Sequence, residues 1–281
     1  MVRRYNSDIF YHYTDFQALD GILHSAQLRV NNVLNMNDAA EMRHFMSGLC
    51  AAVVKRLKEE EDVARAEEVR KFFDEELEKE FFYSAYAACF SFYRDDAAQW
   101  ERYGNRGRGV CIAFRGELLR KMAAGNLSLQ TVFYQDDMTE HSLVDVFYQM
   151  AVSGTELSGD HPDIKHVMND AWICSVVYKH PSFSSENEVR LVVYPYEKEY
   201  FDVNPCYHVT KERIKKYYPL DLESMCWKIG IGLEDLIAEI IIGPESTQSA
   251  WILQDYLRDH GLKELAEHVS LSNCPLRRPP V

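Results

Sequence analysis

The chain has 281 residues, a formal net charge of −13, 47% hydrophobic residues and 27% charged ones. That balance supports a packed core and excludes a disordered chain. The acidic surplus argues against a general affinity for nucleic acid, and no run approaches the roughly 18 apolar residues of a membrane span.

The first predicted element is a β run, Ile9-Phe10-Tyr11-His12-Tyr13, rich in aromatic residues. Alternation puts Phe10, His12 and Thr14 on one face and Tyr11 and Tyr13 on the other. A helix follows, capped by Thr14 or Asp15, with Phe16, Leu19, Ile22 and Leu23 as its apolar stripe. Leu28-Arg29-Val30 is a short strand, and Asn35 to Asp38 a turn. Asp38 then caps a helix with Glu41 as the capping-box acid and Met42, Phe45, Met46, Leu49, Val53 and Leu57 on its buried side. Lys58 to Glu80 is highly charged, yet Val69, Phe72, Phe73 and Leu77 keep helical spacing. Residues 39–82 therefore read as a charged helical segment with its charges facing solvent.

From Tyr83 to Phe92 the pattern is β. Asp95 or Asp96 starts a helix holding Trp100 and Tyr103, and Gly104 to Gly109 is a tight loop before the buried strand Val110 to Phe114. A helix from Glu117 to Ala124, a strand from Ser128 to Tyr134 and a helix from Leu143 to Val152 follow. Gly154 to Pro162 is a loop, Ile164 to Val177 a helix, and His180 to Ser185 a connector into the β run Glu188 to Tyr194. Lys211, Arg213, Lys215 and Lys216 form a short basic run, read as a solvated helix face. Ile237 to Ile242 is a strand ended by Gly243-Pro244, Ser246 to His260 a helix stopped by Gly261, and Val269 to Leu271 a last strand.

Strands and helices mix without strict βαβ alternation. The expected fold is a single α+β domain over residues 1–281, with a mixed or antiparallel sheet core and helical additions. Seven cysteines, an odd number, are scattered without a CxxC pair. Arg3 and Arg4 precede no apolar stretch. Reduced thiols, no secretory leader and a cytoplasmic location are expected. Nucleophile-elbow, Walker A, HExxH and EF-hand patterns are absent from the sequence. His161, Asp163 and His166 have no matching ligand cluster elsewhere, so no metal is expected.

Taken together, Tyr11-His12-Tyr13-Thr14, Gly21-Ile22-Leu23, Met36-Asn37-Asp38 with Glu41, and Cys89-Phe90-Ser91 with Trp100 and Tyr103 resemble a bacterial family, domain-of-unknown-function family 2971. So do Gly109-Val110, Lys179-His180-Pro181 with Phe183, Glu186-x-Glu188-x-Arg190, Ile241-Ile242-Gly243-Pro244 and Leu271-Ser272 to Arg277. The residue before Arg190 is usually aromatic in that family and is Val189 here. The resemblance brings no established activity. It implies a bacterial setting, often one of antiviral defence or toxins.

The layout also looks like the ADP-ribosyltransferase superfamily, in which a His on the first strand, an aromatic or Ser strand and a late Glu carry the chemistry. That resemblance implies His12 and Thr14 as ligand anchors, and Ser91 with Trp100 or Tyr103 in the middle. Glu188 is then the main acid, Glu186 its partner, and Arg190 belongs to the ligand-binding set. NAD is the implied substrate, a nucleotide the implied ligand, and the acceptor stays open. Losing nicotinamide develops positive charge on the ribose, which a carboxylate stabilises. Glu186 and Glu188 sit two apart on an expected strand, so both face one way, and neighbouring acids split their pKa values. The same residues would equally make a salt-bridge ladder, and the pocket could bind a nucleotide or a protein partner without chemistry.

Overall fold

A computed structural model describes residues 9–36, 41–79, 85–125, 127–194 and 204–276. The Asp38 cap, the start of the third β run at Tyr83, and Arg3, Arg4, Asn37 and Arg277 lie outside the described residues.

Strand β1 (Ile9–Thr14) leads into helix α1 (Phe16–Ser25), whose cap is Asp15, accepting from the Ala18 N–H at 2.7 Å. Helix α1 buries Leu19, Ile22 and Leu23, as its stripe predicts. Strand β2 (Gln27–Asn32) alternates buried Leu28 and Val30 with exposed neighbours. Helices α2 (Glu41–Glu59) and α3 (Val63–Leu77) bury the predicted stripes, among them Phe45, Leu49, Val53, Phe72 and Phe73. Next come β3 (Tyr86–Ser91), α4 (Ala97–Arg102), β4 (Val110–Arg115), α5 (Gly116–Met122), β5 (Leu127–Thr131) and β6 (Phe133–Tyr134). Helices α6 (Ser142–Val152) and α7 (Pro162–Ser175) precede β7 (Tyr178–Lys179) and β8 (Glu188–Val193). The remainder is β9 (Cys206–Val209), β10 (Ile214–Asp221), α8 (Leu222–Lys228), α9 (Leu233–Leu236), β11 (Ile237–Ile242), α10 (Ala250–Asp259), α11 (Lys263–Ala266) and β12 (Val269–Leu271).

Among the described residues the fold is α+β around a mixed, mostly antiparallel sheet of ten strands. The chain groups into two compact units. The first comprises Met1–Val30, Ala87–Gln130 and Ser185–Val281, the second Asn31–Tyr86 and Thr131–Ser184. In the second, α2 packs on α3, α6 and α7, beside the parallel pair β6–β7. The first holds nearly all of the large sheet, in the order β12-β11-β4-β1-β3-β2-β10-β9, with β8 joined to β3 and β5. Strand β4 lies between β1 and β11, both antiparallel to it, and its residues Val110 to Phe114 are all buried.

The Gly104–Gly109 loop is a tight turn in which backbones approach closely. A Cβ on Gly109 would lie 2.1 Å from the Thr14 carbonyl oxygen, so only glycine fits. The basic run differs from its predicted form. It lies in the β9–β10 hairpin, with Thr210 Oγ1 donating to the Arg213 carbonyl at 2.8 Å and accepting its N–H at 3.0 Å. The two-residue period of Tyr218 and Leu220, both buried, outweighs the charge pattern that suggested a helix.

Candidate functional site

The late acids do not share a strand. Glu186 ends a 3-10 turn, Pro181–Glu186, and β8 begins at Glu188. Between them Asn187 adopts a left-handed φ of 43°, a conformation Asn tolerates better than most residues. The chain therefore turns between the acids, and only Glu188 and Arg190 keep strand alternation.

Both members of that pair are buried, Glu188 at 6% exposure and Arg190 at 0%. Arg190 Nε donates to Glu188 Oε1 at 2.9 Å, and its terminal nitrogen donates to Oε2 at 3.0 Å. This bidentate geometry holds both carboxylate oxygens in place.

Glu186 is also buried, but its partners come from other elements. Tyr103 donates its hydroxyl to Glu186 Oε1 at 2.7 Å, and Arg102 reaches the same oxygen at 3.3 Å. Ser91 Oγ and Gln99 Nε2 donate to the Glu186 backbone carbonyl at 3.0 and 2.9 Å. Helix α4 supplies Gln99 and Arg102, with Tyr103 at its end. It is capped by Asp96, whose carboxylate accepts from the Ala98 and Gln99 N–H groups. The side chain of Arg102 is 43% exposed, so the cluster opens to solvent on that side.

Trp100 has another place. It is fully buried, edge-on to Tyr13 with ring centroids 4.8 Å apart. Its indole N–H donates to Asp95 at 2.6 Å. Trp100 is therefore a core residue, and Tyr103 is the aromatic whose polar end reaches an acid.

His12 and Thr14 face away from this cluster. The alternation of β1 sends Tyr13 toward Trp100, while the His12 ring lies beside Phe90 at 5.7 Å. His12 Nδ1 lies 2.8 Å from the Cys89 carbonyl. A carbonyl only accepts, so Nδ1 carries the hydrogen and Nε2 of the neutral ring offers a lone pair. Burial lowers the His12 pKa, against the opposing effect of the Cys89 bond, which favours that neutral ring. Thr14 ends β1, opposite Val110. Of the residues singled out in the sequence, the structure thus brings together Ser91, Tyr103 and Glu186. Glu188 and Arg190 pair with each other, and His12 and Thr14 sit on the opposite sheet face.

Sequence reasoning missed a second polar network on the Tyr13 side. Arg94 clamps Glu239, donating from Nε to Oε2 at 3.0 Å and from its terminal nitrogen to Oε1. Ser270 Oγ donates to Glu239 Oε1 at 2.6 Å. Burial alone would raise the Glu239 pKa, but the Arg94 and Ser270 hydrogen bonds hold it below the usual carboxylate value. Asp95 behaves alike: burial pushes it up, and donors from Ser272, Trp100 and Asn273 bring it down. Apart from Trp100, these partners lie far apart in sequence, so no local spacing announces them.

Residues 99–191 match a protein-family model. Its description is a protein of unknown function, DUF2971, which supports the first resemblance read from the sequence. The matched stretch includes Trp100, Tyr103, Glu186, Glu188 and Arg190, and not His12, Thr14 or Ser91. Among curated proteins and solved structures nothing matches the chain. Among the described residues, no helix is long and apolar enough to cross a membrane, and no group of three or more His, Cys, Asp or Glu could hold a metal ion.

Proposed function

We propose that the first unit cleaves the nicotinamide–ribose bond of NAD, with Glu186 as the principal acid. The observation that carries this reading is the bracing of Glu186. A buried carboxylate costs free energy unless it is hydrogen-bonded. Here the bonds come from Tyr103 and Arg102, while Ser91 and Gln99 fix its backbone. An acid held this way offers pre-organised negative charge beside a solvent-facing edge.

In the reaction, the bond between C1′ and the ring nitrogen breaks and its electron pair leaves with nicotinamide. The ribose is left cationic, and Glu186 stabilises it from the carboxylate side. Water, or a nucleophilic acceptor, adds at C1′ and loses its proton to the carboxylate or to solvent. With water the sum is NAD and water to ADP-ribose, nicotinamide and a proton. Glu188 supports this chemistry from its Arg190 clamp and does not touch the reacting carbon. His12 and Thr14, on the other sheet face, take no part in the chemical step. A role in bacterial antiviral defence is the setting the family resemblance implies.

The test is incubation of the purified protein with NAD and chromatography for released nicotinamide. Wild type should release it, and Glu186→Gln should not. The amide oxygen that replaces the carboxylate still accepts from Tyr103, so the variant should fold. Release that is equal in both would refute the assignment.

A second reading is a nucleotide-binding module without chemistry. The Glu188–Arg190 clamp favours it, because it holds both oxygens of one of the two late acids and so keeps that carboxylate out of chemistry. NAD binding by wild type and Glu186→Gln alike, with no product from either, would establish it.

A further inference from the structure

An open cleft of about 330 Å³ lies over strands β1, β4, β11 and β12. Its floor follows from strand register. Tyr11 pairs with Ala113, and Ala113 with Glu239, so the three stand in one row across β1, β4 and β11. Residues directly opposite one another share a face. Two long side chains therefore flank a single methyl group, which is buried at the base of the cleft. Glu267, His268 and Ser270 form the wall on the β12 side.

The charges in this cleft are balanced. Glu239 is clamped by Arg94, and Glu267 accepts from Arg258 at 2.9 Å. The Tyr11 hydroxyl and the His268 ring have no hydrogen-bond partner among the described residues. A small anion would meet two carboxylates. A metal ion or an ammonium would find each carboxylate already matched to a guanidinium. An apolar ligand would strip water from Tyr11 and His268 with nothing in return.

What fits is a neutral molecule whose groups donate and accept at once. Glu239 Oε1 already accepts from Arg94 and Ser270, but Glu239 Oε2 and the Glu267 carboxylate keep spare lone pairs, to which hydroxyls can donate while accepting from Tyr11 or His268. The Tyr11 ring adds a flat apolar surface for the C–H face of a saturated ring. The volume lies at the lower end for small-molecule sites, the range of a single sugar ring. We propose that this cleft binds a neutral, hydroxyl-rich ring of monosaccharide size. The proposal does not depend on NAD cleavage, because none of these residues braces Glu186.

Saturation-transfer NMR on the full chain tests it, with D-ribose, D-glucose and N-acetylglucosamine offered separately at millimolar concentration. Wild type should transfer saturation to at least one of them. Tyr11→Phe keeps the ring and removes a hydroxyl that has no partner among the described residues, so its melting temperature should equal that of wild type. Its affinity for that sugar should fall by up to about tenfold, the value of one hydrogen bond. Ala113→Leu pushes a larger side chain from the base of the cleft between Tyr11 and Glu239 and should abolish the signal. If Ala113→Leu fails to fold, Tyr11→Phe alone decides. No transfer to any of the three sugars, or a Tyr11→Phe variant that binds as wild type does, would overturn the proposal.

Discussion

Replacing Arg190 by Met tests how the late acids are held. Met is close to Arg in length and apolar, so it leaves little cavity but removes the guanidinium that grips both oxygens of Glu188. Both residues are nearly sealed from water, so solvent cannot take the guanidinium's place. Breaking such a pair from one side costs about 3–5 kcal/mol, most of it the penalty of the abandoned charge. At about 2–4 °C per kcal/mol, the melting temperature should fall by roughly 6–20 °C. Glu188→Gln combined with Arg190→Met removes the abandoned charge and should recover most of that loss. The assay is urea unfolding of wild type, both single variants and the double variant, followed by circular dichroism. A coupling of several kcal/mol is expected, as contacting residues in one network are not additive. If Arg190→Met stays within about 1 kcal/mol of wild type, at the level of an exposed ion pair, the reasoning fails. The result also governs how a Glu188→Gln activity loss is read, since that variant can lose activity by losing structure.

Tyr103→Phe removes the hydroxyl donated to Glu186 and should cost about 1.5–3 kcal/mol, the value of a hydrogen bond to a charged group. Under the NAD reading it should also slow nicotinamide release at least about tenfold, measured at saturating NAD. Gly109→Ala would drive a Cβ to 2.1 Å from the Thr14 carbonyl and 3.0 Å from that of Gly104. A drop of about 3 kcal/mol or more in unfolding free energy is expected, and a neutral result would show that the turn can move. Burial lowers the His12 pKa below its ordinary 6.5, so the unfolded chain takes up this proton first. The stability His12 contributes is complete above pH 6.5 and is lost as pH falls from there through the folded value. Melting temperatures between pH 7.5 and 5 should fall more steeply for wild type than for His12→Gln, and parallel curves would contradict the shift.

Much of the fold could be read from the chain because its periodicity is strong. The α1 stripe, the buried run Val110 to Phe114 and the closing strand Val269 to Leu271 all form as expected, and of the two candidate caps of α1 the structure uses Asp15. The β9–β10 hairpin carries a run of like charges that points to a helix face, and the alternation that makes it a strand is legible only at Tyr218 and Leu220. At the site, Tyr103, Ser91 and Glu186 do gather. The regular strand expected through Glu186 is broken by Asn187, whose left-handed backbone leaves no mark on hydrophobic periodicity. The network of Arg94, Asp95 and Glu239 escapes the sequence for a different reason. Arg94 and Asp95 follow β3, and their partners Glu239, Ser270, Ser272 and Asn273 come from β11, β12 and the segment after it, a long-range pairing that no local motif encodes.

The most direct measurement of the central claim is nicotinamide release by wild type, Glu186→Gln and Glu188→Gln in parallel, with a melting curve for each. Under the account, wild type releases nicotinamide and Glu186→Gln releases none while melting near the wild-type temperature. Glu188→Gln should show its defect first in the melting curve. No release by wild type, or undiminished release by a folded Glu186→Gln protein, would contradict the claim.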